Sequence, residues 1–411
     1  MLNSIDFSGR PFHFIGIGGI GMSAIAHILI GRGCPVSGSD ISCNGSTNRL
    51  QDLGITIYKG HHADHIDPQK SPQVVYSSAI DTHNPELETA LRLGLPVFHR
   101  SDLLAALIAQ TDSIAVAGTH GKTTTSSLIG FLLLKAGLDP SIVVGGEVNA
   151  WQGNARLGNG PLVAEADESD GSFVKFSPKI GVVTNIELDH PDRYGSLAET
   201  VTCFREFAGR CQRVVGCLDD GNVREHLRSH IGYSLENPGA DYFASEVRLT
   251  AGGTQATIWE RGEILGTATL TILGKHNLSN ALAAIAVVRQ FGVPWTAIEM
   301  ALPEFVGARR RFEVRGTEGG ITFVDDYAHH PSEVQVTLAA AKLQQRRVVA
   351  VFQPHRYSRT KQFLGDFAQA FGHADVVLCT EVYSAGEAPN GHWRRASVGG
   401  DRRISSPSQV L

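Results

Sequence analysis

The sequence predicts an α/β protein of three tandem domains, each a mostly parallel sheet flanked by helices. Two Gly-rich turns and one break carry the prediction. The first turn, GIGGIGMS, joins a short apolar strand to a helix near the start of the chain. The second, GTHGKTTT, does the same from residue 118. The break is the arginine run GARRRFEV, after which strands and helices start to alternate afresh. Such alternation is the rhythm of a doubly wound sheet.

From Phe12 the chain reads strand (FHFIGIG), helix (GIGMSAIAHILIGRG) and strand (VSGSD), and VVYSSAI, ETALRLG and PVFH continue the pattern. This is a Rossmann-like N-terminal domain over residues 1–108. SIAVAG opens a P-loop-type central domain over 109–313, whose first helix ends on Gly137. The strands PLVAEAD and IGVVTNI and the helix NLSNALAAIAVVRQFG belong to it. A Rossmann-like C-terminal domain takes 314–390: strand ITFVDDYAHH, a helix from Pro331, strand RVVAVFQPH, another helix, then DVVLCTEVY. Residues 391–411 hold four Arg, four Ser and three Gly without periodicity, and read as a disordered or aberrant tail. On this reading the last domain is truncated, and the strand at Val376–Thr380 keeps an unprotected edge.

Charge is nearly balanced, with 36 Lys and Arg against 41 Asp and Glu. That excludes nucleic acid or an anionic membrane surface as the default partner. No run reaches the ~18 apolar residues of a membrane span. The start, MLNSIDFSGRPFHF, lacks the basic-then-apolar order of a signal peptide. Six cysteines are scattered with no CxxC pair and read as free thiols. Forty-five glycines in 411 residues exceed ordinary usage, consistent with backbone brought close to phosphates.

The motifs carry the chemistry. Gly16, Gly18 and Gly21 form GxGxxG between strand and helix, with Asp40 ending the next strand. Backbone N–H groups at a helix N-terminus suit a pyrophosphate, and the carboxylate suits a ribose hydroxyl. The motif does not choose between a nicotinamide dinucleotide and a UDP-sugar. In GTHGKTTT, Lys122 offers an ammonium to β/γ-phosphates and Thr123 a hydroxyl to Mg²⁺. Val116 stands where the usual P-loop pattern has its first glycine. VAEADESDGSF and TNIELDHPDRY follow apolar strands, so Glu165 and His190 reach the same sheet edge as a metal held by Thr123. Asn277 and Asn280 share a helix face, where amides suit an adenine edge; helix capping by Asn277 accounts for that residue equally well. Arg311, Asp326, Tyr327, His329, His330, His355, Arg356 and Arg359 gather in GARRRFE, VDDYAHHP and QPHRYSRT. Arginine at such junctions suits carboxylate or phosphate.

Taken together, GIGGIGMS, SGSD, YSSAI, GTHGKTTT, EADESDGSF, TNIELDH, GKHNLSNALAA, RRRFE, DDYAHHPSE and QPHRYSRT resemble the Mur ligase family, and its alanine-adding branch in particular. The resemblance runs in unbroken order over roughly residues 10–390. It implies a cytoplasmic ATP-dependent carboxylate–amine ligase of peptidoglycan synthesis, hence of cell-wall biogenesis, cell shape and division. Its substrates would be UDP-N-acetylmuramate and L-alanine, its cofactors ATP and Mg²⁺, and its state a monomer or homodimer. By resemblance, Gly16, Gly18, Gly19, Gly21, Ser39, Asp40, Ser77 and Ser78 hold the UDP-substrate. Gly118, Thr119, His120, Gly121, Lys122, Thr123, Thr124, Asn277, Asn280, Arg311 and Asp326 hold ATP. Lys122, Glu165 and His190 are catalytic, with Thr123, Glu165 and His190 on the metal. Tyr327, His329, Arg356 and Arg359 lie near the carboxylate and amino acid. Sister ligases carry a carbamylated lysine after the metal histidine; here no lysine stands between Lys179 and Lys275, and Arg205 takes about that place.

Other readings explain less. A nicotinamide oxidoreductase leaves GTHGKTTT without a purpose, and a folyl-polyglutamate-type ligase does not need GIGGIGMS. The remaining alternatives are an inactive or weakly nucleotide-binding truncated relative, and a later ligase joining a peptide to a UDP-muramoyl substrate.

Overall fold

The structure is a computed structural model and describes residues 4–388. The tail expected over 391–411 lies outside the described residues. The N-terminal sheet holds β1 (Phe12–Ile15), β2 (Val36–Asp40), β3 (Thr56–Lys59), β4 (Gln73–Tyr76) and β5 (Val97–His99) in the order 3-2-1-4-5, all parallel. The order reverses at β1, and the Gly-rich turn lies at its C-terminal end. That is the switch point where open α/β sheets leave a crevice for ligands.

The central sheet has ten strands: β6 (Ser113–Ala117), β7 (Ser141–Val148), β8 (Gly153–Arg156), β9 (Leu162–Glu165), β10 (Ile180–Val183), β11 (Arg213–Cys217), β12 (Ile231–Ser234), β13 (Tyr242–Thr250), β14 (Gly253–Glu260) and β15 (Glu263–Leu270). Their order is 15-14-13-12-11-10-6-9-7-8. Strand β6 lies between β9 and β10, parallel to both, with Val116 opposite Glu165 and Ala117 opposite Val183. Strands β6 and β10 are fully buried and β9 is buried up to Glu165, as expected where helices cover both faces. The register is what brings GTHGKTTT, EADESD and TNIELDH to one edge. The antiparallel meander β13–β15 carries no motif, and the strand–helix rhythm gave no sign of it.

Among the described residues the C-terminal domain holds a hairpin, β16 (Glu313–Glu318) with β17 (Ile321–Asp325), and a parallel pair, β18 (Val349–Phe352) with β19 (Val376–Cys379). Strand β19 has no second neighbour among those residues. The helix Pro331–Lys342 starts on a capping box: His330 accepts from the backbone, and the Glu333 carboxylate reaches back to the His330 N–H. Proline at the first helical position costs no hydrogen bond there.

One apolar core runs without a break from the first domain into the central one. It joins Phe12, Ile25, Leu29 and Leu107 to Leu162, Phe173, Phe204 and Phe207. The C-terminal domain has a separate core around Phe352, Phe363, Phe367 and Phe371.

Candidate active site

The P-loop follows β6 and opens the helix Lys122–Lys135. Gly121 caps that helix in the left-handed region (φ 80°), and a Cβ there would lie 2.5 Å from Asn280 Oδ1. Only glycine satisfies both demands. The next strand clasps the loop: Asn185 Oδ1 accepts from His120 N–H at 2.8 Å, and the Thr184 hydroxyl donates to the His120 carbonyl at 2.6 Å. Within TNIELDH the histidine is the residue with evident chemistry, whereas Thr184 and Asn185 act through the loop backbone, which the motif does not announce.

The Lys122 side chain is largely buried, 13% exposed. Its ammonium donates to the carbonyls of Gly118 (2.7 Å) and Thr119 (3.1 Å) and to Glu168 Oε1 (2.9 Å). Burial opposes its charge, yet Glu168, Asp167 and Glu165 outweigh that and raise its pKa. Glu165, at the end of β9, accepts from Gly145 N–H at 2.8 Å. Burial raises its pKa against the pull of Lys122, that N–H and the Thr123 hydroxyl. His190 adopts φ 53°, which aims its ring at Glu168 at 3.5 Å. Burial disfavours its charge, but Glu168 and Asp189 prevail and its pKa rises. Asp167, Glu168 and His190 place ligand atoms within 4.8 Å of one another. The first two went unassigned from sequence although they stand inside the EADESD motif. Carboxylates, an imidazole and a hydroxyl make a donor set suited to a divalent cation bridging phosphates.

Beside the P-loop lies a cavity of about 330 Å³ lined by His120, Gly121, Thr124, Asn277, Asn280, Arg311 and Asp326 among others. Asn277 does not cap its helix. Gly274 does, and Asn277 Nδ2 donates to the Leu273 carbonyl at 2.7 Å. Asn280 Nδ2 donates to Asn277 Oδ1 at 3.3 Å. Asp326 accepts from Phe312 N–H and Ala328 N–H, both at 2.7 Å, and so ties the chain that crosses between domains. Burial raises its pKa against those bonds. Arg311 lies 5.6 Å over the Tyr327 ring.

The C-terminal residues meet the same edge from the other side. Tyr327, His329 and His355 pack ring to ring at 4.9–6.5 Å. Burial lowers the pKa of His329 and, more strongly, that of His355, to about 4. Arg356 donates to Asp192 at 2.9 Å. Arg359, expected to meet a substrate carboxylate, is 2% exposed and grips a protein one: Nε and Nη2 donate to the two Asp189 oxygens at 2.8 and 3.1 Å. Asp189 therefore stays ionised despite burial, its pKa well below the usual range with His190 and Arg359 beside it.

In the N-terminal domain, Gly16 takes φ 77° and Gly18 N–H donates to Asp40 Oδ2 at 2.8 Å. Gly19 caps the helix Ile20–Gly31, and Arg100 lies over Gly21, close enough that a Cβ would meet its Nη1 at 2.8 Å. Sequence reasoning missed Arg100, a guanidinium at the mouth of the turn. Ser78 donates to Asp170 at 3.0 Å, across to the central domain, and the nearby Ser77 carbonyl accepts from Ile80 N–H. Ser39, expected at the substrate, is wholly buried and donates to Glu86 at 2.8 Å. His13 and His65 also contact Glu86, and together these bonds overcome burial and hold its pKa near 2. Ser39 thus stands behind the site in this structure.

Three family models match the chain in order: "Mur ligase family, catalytic domain" at residues 11–111, "Mur ligase middle domain" at 116–288 and "Mur ligase, glutamate ligase domain" at 310–404. The chain is 58% identical to a UDP-N-acetylmuramate–L-alanine ligase of Nostoc punctiforme and 56% identical to one of Microcystis aeruginosa. In each case 95% of this chain and 85% of the relative are covered. Its fold matches the crystal structure of a UDP-N-acetylmuramate–alanine ligase from Thermotoga maritima with a TM-score of 0.80 at 33% identity, covering 91% of this chain and 85% of that one. A murein peptide ligase from Psychrobacter arcticus matches with a TM-score of 0.71 at 28% identity, covering 90% and 84%. With models spanning all three domains in order and relatives above half identity along nearly its whole length, this chain belongs to the Mur ligase family.

Proposed function

We infer that this protein joins L-alanine to the carboxylate of UDP-N-acetylmuramate with ATP hydrolysis, through an acyl phosphate. The observation that carries the reading is the 52–58% identity to ligases of that name, held across all three domains. Relatives that join a peptide lie further off, at 28% identity, and the later-ligase alternative is not favoured.

The chemistry fits the residues. A carboxylate is a poor acyl donor because oxide leaves badly. Transfer of the γ-phosphoryl group gives it a good leaving group, and the amine of alanine then displaces phosphate. Lys122 is the ammonium for the charge that grows during phosphoryl transfer. An incoming phosphate competes with Glu168 for it, so the ion pair holds the lysine in place until substrate arrives. Asn277, Asn280, Arg311 and Asp326 border the cavity assigned to the nucleotide. Gly16, Gly18, Gly19, Gly21 and Asp40, with Arg100, make the N-terminal turn assigned to the UDP moiety. Arg356 and His329 face Asp192 and Asp189 of the central domain, Tyr327 packs on the His329 ring, and we assign these three to the carboxylate and the amine. For Mg²⁺ we assign Thr123, Glu165 and His190, with Asp167 and Glu168 within reach. When bound, the ion neutralises phosphate oxygens. Enclosure between domains keeps water from the acyl phosphate.

Phosphate release tests the proposal. It is expected only with ATP, Mg²⁺, UDP-N-acetylmuramate and alanine together. Equal release without UDP-N-acetylmuramate would reduce the protein to an ATPase.

A further inference from the structure

A second cluster, separate from the His190 acids, joins the P-loop to the C-terminal domain. His120 lies in the P-loop, Glu187 follows β10, and His330 caps the helix Pro331–Lys342. Each offers a ligand atom within 4.8 Å of the other two. His120 Nε2 is 3.5 Å from Glu187 Oε2, and His330 Nδ1 is 3.8 Å from the same oxygen. Both separations are long for hydrogen bonds. They are close to the edge of a tetrahedron around zinc, whose ligand atoms at 2.0–2.1 Å from the metal stand about 3.3 Å apart.

Three further features match a metal site rather than a packing accident. His120 Nε2, the atom that faces Glu187, is buried without a hydrogen-bond partner, and His330, whose Nδ1 faces the same oxygen while accepting weakly from Ser332 N–H, is 4% exposed. The other nitrogen of the His120 ring, Nδ1, faces Glu333 Oε1 at 3.3 Å. A carboxylate on the far nitrogen is how a metal-bound histidine is usually fixed in tautomer and orientation. The Ser332 hydroxyl donates to Glu187 Oε2 at 2.7 Å and orients that carboxylate in turn.

We propose that His120, Glu187 and His330 form a transition-metal site of the two-histidine, one-carboxylate type, selective for Zn²⁺ over Mg²⁺, that bridges the central and C-terminal domains. Imidazole nitrogens favour zinc, whereas magnesium prefers oxygen ligands. His330 belongs to the other domain, so the three ligands meet only while the domains are docked. By linkage, zinc must then favour the docked arrangement and slow any step that needs the domains to part.

The test is zinc binding by the full-length protein, read by competition with a chromophoric chelator in excess Mg²⁺. The wild type is expected to bind one more equivalent of Zn²⁺ than either His330→Ala or Glu187→Gln. Glu187→Gln keeps the size of the side chain and an acceptor for Ser332, so it decides the matter if His330→Ala fails to fold. Glu333→Gln should keep the equivalent but bind it ~10–100-fold more weakly, the mark of a supporting carboxylate. Equal zinc content and affinity in the wild type and Glu187→Gln would overturn the proposal.

Discussion

The central domain is joined to its two neighbours by different physics. Toward the N-terminal domain the joint is apolar: a single core crosses it, the helix Ile20–Gly31 lies on β7 and β8, and Leu157 packs where a Cβ on Gly31 would be. The ion pairs there are exposed, such as Lys175 with Asp102 and Arg49 with Glu147, and the buried polar contact is uncharged, from the Asn154 amide to the Ile20 carbonyl and the Ser23 hydroxyl. Toward the C-terminal domain the joint is ionic and buried. Arg359 meets Asp189, Glu333 meets His120 and Arg311, and Leu188 is the central-domain residue packed on the far core. Apolar burial is non-directional and insensitive to pH. Buried ion pairs depend on protonation and on each partner being present. The first domain is thus fixed on the central one, while the third can respond to charge, which is what arrives when ATP and a carboxylate bind.

Breaking the ionic joint should have the largest effect. Arg359→Ala removes both guanidinium bonds from the buried Asp189 carboxylate and leaves it only His190, and breaking such a buried pair typically costs about 3–5 kcal/mol. Hydrogen exchange should accelerate in the C-terminal domain and stay unchanged in the N-terminal one. Equal acceleration in both would mean the two joints are coupled after all. Next comes the chemistry at that joint. Lys122→Ala should lower kcat by ~10²–10³, about 2.7–4 kcal/mol, the usual loss for one electrostatic donor. Binding of UDP-N-acetylmuramate, measured by calorimetry, should persist because the N-terminal turn does not involve the lysine.

pH separates the joints further. The contacts with Glu187 and Glu333 outweigh burial and lift His120 from 6.5 to about 9. A proton held more tightly in the folded protein stabilises fully below 6.5, and that stabilisation fades as pH rises toward 9. Glu187 goes the other way: His120 and Ser332 overcome burial and bring it from 4.5 to about 2. Its contribution is complete above 4.5 and fades as pH falls toward 2. Docking of the C-terminal domain should therefore be strongest between about pH 4.5 and 6.5 and loosen above that. Limited proteolysis across pH, with chelator present, reads this directly. A C-terminal domain equally protected at pH 6 and pH 9 would remove His120 from the joint.

What could be read from the sequence follows the same division. Motifs placed at strand ends were legible because a parallel sheet brings all strand C-termini to one edge: GTHGKTTT, Glu165 and His190 meet as β6, β9 and β10 require. The partner of a charged residue was not legible. Arg359 and Asp189 are 170 positions apart, and nothing in QPHRYSRT says that its arginine faces a protein carboxylate. Ser39 sits on β2 beside Asp40, but the period of two along a strand turns one side chain to the site and the other into the core. The β13–β15 meander escaped because Ser, Thr, Gln, Glu and Gly interrupt its apolar residues irregularly, so neither period stands out.

The smallest expected effect tests the apolar side. Arg49 reaches Glu147 at 2.6 Å across the first joint, but the two side chains are 37% and 27% exposed. Solvent screens such a pair, and holding a long arginine in one rotamer offsets the attraction, so its worth is about 0–1 kcal/mol. Arg309 also pairs with Glu147, so removing Arg49 leaves no carboxylate unpaired. Arg49→Ala should then shift the denaturant midpoint little and leave protection of both domains intact. A loss comparable to that of Arg359→Ala would show that the first joint, too, is held by charge.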